Sequence, residues 1–152
     1  MEEKDLQIRL ATRKDADDLL QLIKELALYE KAPKEVINTA EQLIKDGFED
    51  QPLYTAFVAE YANKVIGMAL TYYRYSTWKG KCLYLEDLYV KPDFRGIGAG
   101  KQLFNQCIEF GKANNCMRLN WQVLDWNTPA IEFYKRFNAD LDGEWINGSL
   151  DL

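Results

Sequence analysis

The feature that most constrains this chain is a change of period across residues 83–108. Leu83-Tyr84-Leu85-Glu86-Asp87-Leu88-Tyr89-Val90 is dense in aliphatic and aromatic residues and predicts a strand. Leu103, Phe104, Cys107, Ile108 and Gly111 then recur at helical spacing, predicting a helix that begins around Gly98. Lys91-Pro92 closes the strand, and Arg95-Gly96-Ile97-Gly98-Ala99-Gly100-Lys101 joins the two elements. Glycines let a ligand approach the backbone closely, and the first amides of the helix point at it. The helix dipole adds about half a positive charge there, and Arg95 and Lys101 add full ones, so a diphosphate is the natural guest. The alternative is a glycine-rich turn that only caps the helix. Two better-known loops do not fit. A phosphate loop of the Walker type needs Gly where Arg95 stands and Ser or Thr where Gln102 stands. The third glycine of GxGxxG falls on Lys101 or on Leu103.

Around this junction the pattern alternates between strands and helices. Residues 6–11 predict a first strand, and Thr12 with Asp15 forms a capping box for a helix that fades near Glu30. Thr39 caps a short helix over 39–46, with Gly47 as its stop. Segments 54–60, 65–75 and 82–90 read as an antiparallel meander with turns at 61–64 and 79–81. A strand at 117–124, a helix at 128–137 and a last strand at 139–145 complete the order β-α-α-β-β-β-α-β-α-β. The expectation is a single α/β (α+β) domain over 1–152, with a mixed, mostly antiparallel sheet flanked by helices.

Composition removes several functions. The 152 residues contain no histidine, which excludes Ser-His and Cys-His nucleophiles and histidine-based zinc sites. Cys82, Cys107 and Cys116 are widely spaced, so neither a disulfide framework nor a metal site is expected. A net charge of −5 disfavours nucleic acid as a partner. The charge is uneven: residues 15–50 carry ten acids and four bases, whereas 91–118 carry five bases and two acids. That layout suits an anionic ligand on one surface and a cationic ligand on another, although chance clustering on solvated faces would produce it equally well. The amino terminus is charged and no apolar run spans a membrane, so a cytoplasmic location without membrane contact is expected.

Arg95-x-x-Gly98-x-Gly100, preceded by YLEDLYVKPDF and followed by Asn127 and Tyr134, resembles the acetyl-CoA-binding signature of the GCN5-related N-acetyltransferases. Residues 23–30, 83–87, 125–127 and Phe133-Tyr134-Lys135 are similar to the diamine (spermidine/spermine) acetyltransferases. Residues 75–80 and 123–127 are most similar to their thialysine N-acetyltransferase branch. The resemblance implies acetyl transfer from acetyl-CoA to the primary amine of a small diamine or amino-acid-like substrate. A peptide acetyltransferase and a non-catalytic acyl-CoA-binding domain are the alternatives. It also implies a homodimer, for which the tail from Asn147 is short.

Such chemistry needs a neutral amine, donors for an oxyanion and a proton for the departing thiolate. Glu86 and Asp87 are adjacent on a strand, so alternation points them to opposite faces. The resemblance implies that Glu86 relays the amine proton through water. It gives Asp87 a place at the substrate, or a purely structural bond. By spacing alone Tyr134 is a core aromatic, whereas the resemblance implies that it is the general acid. Asn127 reads as an N-cap, and resemblance adds a contact to the CoA arm. The implied oxyanion donors are backbone amides at Leu88, Tyr89 and Val90. Amides of Gly96, Ile97, Gly98, Ala99 and Gly100, with Arg95 and Lys101, would hold the diphosphate. Tyr29, Glu30 and Trp78 correspond to positions lining the amine site, though Glu30 also suits a helix end and Trp78 a hairpin cap. Ser76 stands where polyamine enzymes carry an acid, favouring a shorter, amino-acid-like amine.

Overall fold

The computed structural model describes residues 2–152. Strands β1 (Leu6–Leu10), β2 (Thr55–Tyr61), β3 (Lys64–Ser76), β4 (Gly80–Val90) and β5 (Leu119–Trp121) form one sheet in that spatial order. The first four pair antiparallel, and β5 joins β4 in parallel. Helices α1 (Ala16–Tyr29) and α2 (Ala40–Gly47) separate β1 from β2, and α3 (Ala99–Ala113) crosses over from β4 to β5. One compact unit ends at Trp121; a second, Gln122–Leu152, contains α4 (Thr128–Lys135).

Period-two patterning sorts the sheet residues between two helical layers. Ala56, Val58, Met68, Leu70 and Tyr89 pack with Leu19 and Leu22 of α1 and Leu43 of α2. Residues of the other parity meet α3: the Phe57 ring lies 5.4 Å from that of Phe110, and a Cβ on Gly67 would touch Leu103. Leu103, Phe104 and Cys107 are fully or almost fully buried, as the helical spacing predicts.

Local chemistry places the element ends. Asp15 accepts the Thr12 amide at 2.7 Å and both terminal nitrogens of Arg9 at 2.8 and 2.9 Å. Arg9 also holds Glu60, so one guanidinium ties β1 to β2 and to the start of α1. The Arg9 contacts hold the Asp15 carboxyl below its usual range. Thr39 caps α2 through the Gln42 amide, as expected. Gly47 is the last residue of α2 rather than its stop. The Tyr54 ring lies against it, and the Tyr54 hydroxyl donates to the Leu43 carbonyl at 2.5 Å.

Three expectations shift. The β3–β4 turn occupies Thr77-Trp78-Lys79, not 79–81, because the Ser76 hydroxyl accepts the amides of Trp78 and Lys79 and closes the loop first. The β2–β3 turn falls where expected, with Ala62 and Asn63 both at positive φ. The last strand is absent: among the described residues, 139–145 form no ladder. This stretch contains Asp140, Asp142, Gly143 and Glu144, residues that strands disfavour. The Asp142 carboxylate accepts the Glu144 amide at 2.9 Å, replacing a ladder bond with a local turn. The strand predicted at 117–124 contracts to Leu119–Trp121.

Candidate active site

One irregularity in β4 organises the site. Leu70 pairs with Asp87 while its neighbour Thr71 pairs with Leu85, leaving Glu86 as the extra residue of a β-bulge. The bulge changes which residues share a face. Asp87 stands opposite Leu70, and Tyr84 stands opposite Tyr72, so both take the side covered by α1 and α2. Glu86 is exposed and turns to that side as well, since the Tyr72 hydroxyl donates to its Oε2 at 3.3 Å. The opposite-face expectation for Glu86 and Asp87 holds for a regular strand and fails at this bulge.

Glu30, the C-cap of α1, completes the acidic group. Burial pushes its carboxyl up, and the Glu86 charge adds to that. Asp87 is pushed up to about 7, first by burial and then by repulsion from Glu86 and Glu30. Burial, and then Glu86, raises the Tyr72 hydroxyl to about 12, and the same two causes raise Tyr84. Carboxylates that repel one another in a half-buried setting become favourable when a cation enters. Among the described residues no such group is arranged to hold a metal ion. The arrangement suits an organic ammonium.

The other edge of β4 opens beside this group. β5 pairs with β4 only over Leu83–Leu85, and among the described residues no strand pairs with that edge farther on. The Lys91 amide bonds the Ile66 carbonyl at 2.8 Å. Alternation therefore turns the peptide groups of Asp87 and Tyr89 toward β3 and those of Leu88 and Val90 toward the open edge. The Val90 carbonyl accepts Arg95 Nε at 3.0 Å, in agreement. Leu88 and Val90 thus present their amides at the opening. Tyr89 does not, because its peptide group turns toward β3; its side chain lies among the α1 and α2 residues, with its hydroxyl 3.5 Å from Glu25.

Five residues beyond Val90, at Arg95, the glycine loop begins. Gly96 and Gly98 hold φ of 87° and 86°, a region that a side chain would strain. The first intrahelical bond is from the Gln102 amide to the Gly98 carbonyl, at 3.0 Å. The amides of Ala99, Gly100 and Lys101 therefore open from the helix end, beside Ile97. The Arg95 guanidinium lies 5.6 Å from the centre of the Tyr89 ring. Strand end, loop and helix start form a cationic, amide-rich cradle that can take a diphosphate.

In the second unit, the Asn127 side chain caps α4 by accepting the Ala130 amide at 3.3 Å. Tyr134 is buried, with its ring centre 5.3 Å from that of Phe133. Tyr29 is 39% exposed at the end of α1. Trp78 is not brought to the acidic group. It tops the β3–β4 turn, 82% exposed, and Glu86 lies about 20 Å along β4 from Gly80 at the usual strand rise. Sequence reasoning missed Tyr72, Tyr84 and Arg74, whose guanidinium lies 5.4 Å from the Tyr84 ring centre. Period two on β3 and β4 would group Tyr72 with Arg74 and Tyr84 with Glu86; the bulge then adds Asp87.

The model of the acetyltransferase (GNAT) family matches residues 17–139. The chain belongs to this family. It is 41% identical over 140 residues to the thialysine N-epsilon-acetyltransferase of Bos taurus, covering 87% of this chain and 82% of that protein. Its identity to the Caenorhabditis elegans thialysine N-epsilon-acetyltransferase is also 41%, over 131 residues, covering 86% of this chain and 81% of the relative. In fold it is similar to an aminoglycoside acetyltransferase from an uncultured soil metagenomic sample, solved with trehalose. The TM-score is 0.80 at 21% identity, over 98% of this chain and 97% of that one. The chain is accordingly an N-acetyltransferase with a mixed, mostly antiparallel sheet flanked by helices. No helix among the described residues is long and apolar enough to cross a membrane.

Proposed function

We propose that this acetyltransferase transfers acetyl from acetyl-CoA to the primary amine of a small diamine or amino-acid-like substrate, by direct attack on the thioester. The observation that carries this reading is the convergence of Glu30, Glu86 and Asp87 on one face of the β4 bulge, next to the open edge at Leu88 and Val90. The acidic group attracts an ammonium. An aliphatic ammonium has a pKa near 10.4, so neutralising it at pH 7 costs about 4.6 kcal/mol. Asp87, pushed up to about 7, is matched to receive that proton, and exposed Glu86 passes it to water. The amine nitrogen bonds to the thioester carbon, the Leu88 and Val90 amides stabilise the oxyanion, and the carbon–sulfur bond then breaks. Tyr134 donates the proton that the thiolate takes up.

In this reading the loop amides from Gly96 to Gly100, with Arg95 and Lys101, hold the diphosphate, and Asn127 contacts the CoA arm while capping α4. Tyr29 lines the acceptor entrance, and Trp78 acts there only with substrates long enough to reach the turn. The relatives named for thialysine, with Ser76 in place of an acid, favour a short amino-acid-like amine over a long polycation. A cytoplasmic homodimer is part of the same proposal. The test is CoA release by the purified protein with acetyl-CoA and thialysine, lysine, putrescine, spermidine or a basic peptide. Preference for a short amine supports the reading. Preference for the peptide, or acetyl-CoA binding without turnover on any acceptor, overturns it.

A further inference from the structure

The acceptor face holds an opposite charge that the proposed amine chemistry leaves unused. Arg74 lies on β3 two residues from Tyr72 and, like it, faces the side of α1 and α2. Its guanidinium sits over the Tyr84 ring, 5.4 Å from the centre. The Tyr84 ring packs at a tilt of 38° against that of Tyr72, centres 5.2 Å apart, and the Tyr72 hydroxyl donates to Glu86 at 3.3 Å. A continuous path therefore runs from the carboxylate group across two packed rings to one guanidinium. Arg74 is exposed and, among the described residues, is in no ion pair. Its planar donors are not neutralised by the acids nearby.

Spacing gives this pair of charges a use. Tyr84 and Asp87 stand opposite Tyr72 and Leu70, two β3 steps or about 6.6 Å apart, with Glu86 bulged between them. That matches the reach of a flexible aminoalkyl chain whose amine sits among the carboxylates and whose far end lies over Tyr84. A substrate whose far end carries only a second ammonium would meet the guanidinium as an uncompensated like charge. A substrate with a carboxylate there would find the fork geometry that binds carboxylates in two parallel bonds.

Resting on the acceptor reading above, we propose that Arg74 is the specificity-determining residue of this site and reads the α-carboxylate of an amino acid whose side chain ends in the reacting amine. The acceptor is therefore an amino acid with a side-chain amine rather than the corresponding diamine. The two aromatic rings hold the guanidinium at the required distance, while Glu30, Glu86 and Asp87 take the reacting amine.

Lysine and cadaverine test this directly, because they differ only in the carboxylate. Wild type should show the higher kcat/KM with lysine. Arg74→Leu should lower kcat/KM for lysine by about 10–100-fold, mainly through KM, the loss expected for a hydrogen-bonded charge. It should leave cadaverine within about twofold. Arg74→Glu should reverse the preference, and Arg74→Lys should retain part of it. Equal losses with both acceptors in Arg74→Leu and Arg74→Glu would mean that Arg74 only packs on Tyr84, and would overturn the proposal. So would a wild type that favours cadaverine. A wild type that acetylates neither amine refutes the acceptor reading as well, which separates the two failures.

Discussion

Replacing Asp87 by Asn tests the electrostatic reading of the bulge without presupposing a substrate. Burial and the charges of Glu86 and Glu30 push the Asp87 carboxyl from 3.8 to about 7. The folded protein therefore holds this proton more tightly than the unfolded chain does. Between about pH 4 and 7 the native state carries the extra proton, so stability falls as pH rises through that window. Above pH 7 the full cost is present; below pH 4 it has vanished. Three units correspond to a ceiling of about 4 kcal/mol. Asp87 is only half-buried, and solvent screening reduces the expected penalty to about 1–3 kcal/mol.

Asparagine keeps the shape and cannot ionise, so Asp87→Asn should be more stable than wild type at pH 8, and the gap should close by pH 4. With a urea m-value of about 2 kcal/mol per molar, the midpoint should rise by roughly 0.5–1.5 M at pH 8. Urea unfolding of both proteins at pH 4, 6 and 8 is the assay. Equal stability at all three values, or a variant that is weaker at pH 8, would show that the acids do not strain one another. The same substitution should lower acetyl transfer. It should also remove an acidic limb near pH 7 from kcat/KM, because only the ionised wild-type carboxylate accepts the amine proton.

Tyr134→Phe should lower kcat by about 10²–10⁴-fold while sparing acetyl-CoA affinity measured by calorimetry, the range expected for losing one general acid. Gly98→Ala introduces a side chain at φ 86°; it should cost about 1–2 kcal/mol of stability and raise the KM for acetyl-CoA more than that for the amine. Asp15→Asn breaks the Arg9 bridge; it should destabilise the fold by about 2–3 kcal/mol at pH 7, measured by urea titration. The Asp15 carboxyl lies below its usual range, so this contribution is present above about pH 4 and is lost as pH falls further. The wild-type advantage should shrink accordingly in acid.

Whatever rests on periodicity or on local side-chain chemistry could be read in advance. The helical spacing of Leu103, Phe104 and Cys107 places them in the core under α3, and Thr12, Asp15 and Thr39 cap where their hydroxyl and carboxylate groups require. The glycine run was legible for the same reason, since few residues besides glycine tolerate the positive φ of 96 and 98. The missing strand at 139–145 had the period but not the partner. Its apolar residues are spaced for a strand, but an Asp142 turn satisfies the backbone locally, and nothing in the sequence supplies a partner.

The bulge was hidden for a different reason. Register is a relation between two strands, and the residues of β4 alone do not say which of them lacks a partner on β3. Reading LYLEDLYV as regular strand separates Glu86 from Asp87, and the site then consists of one carboxylate. One extra residue in the ladder puts both acids on the face of Tyr72, Tyr84 and Arg74. It also carries the peptide groups of Leu88 and Val90 to the same edge as those of Leu83 and Leu85, just where β5 stops. A single inserted residue thus supplies both the charge repulsion that favours an ammonium and the open donors that suit an oxyanion. Deleting Glu86 leaves Asp87 opposite Leu70 and Leu85 opposite Thr71, so the Leu88 and Val90 amides should stay at the open edge while one carboxylate is lost. The deletion should lower the Asp87 pKa and weaken capture of the ammonium without abolishing acetyl-CoA binding, and loss of acetyl-CoA binding would refute this account of the register.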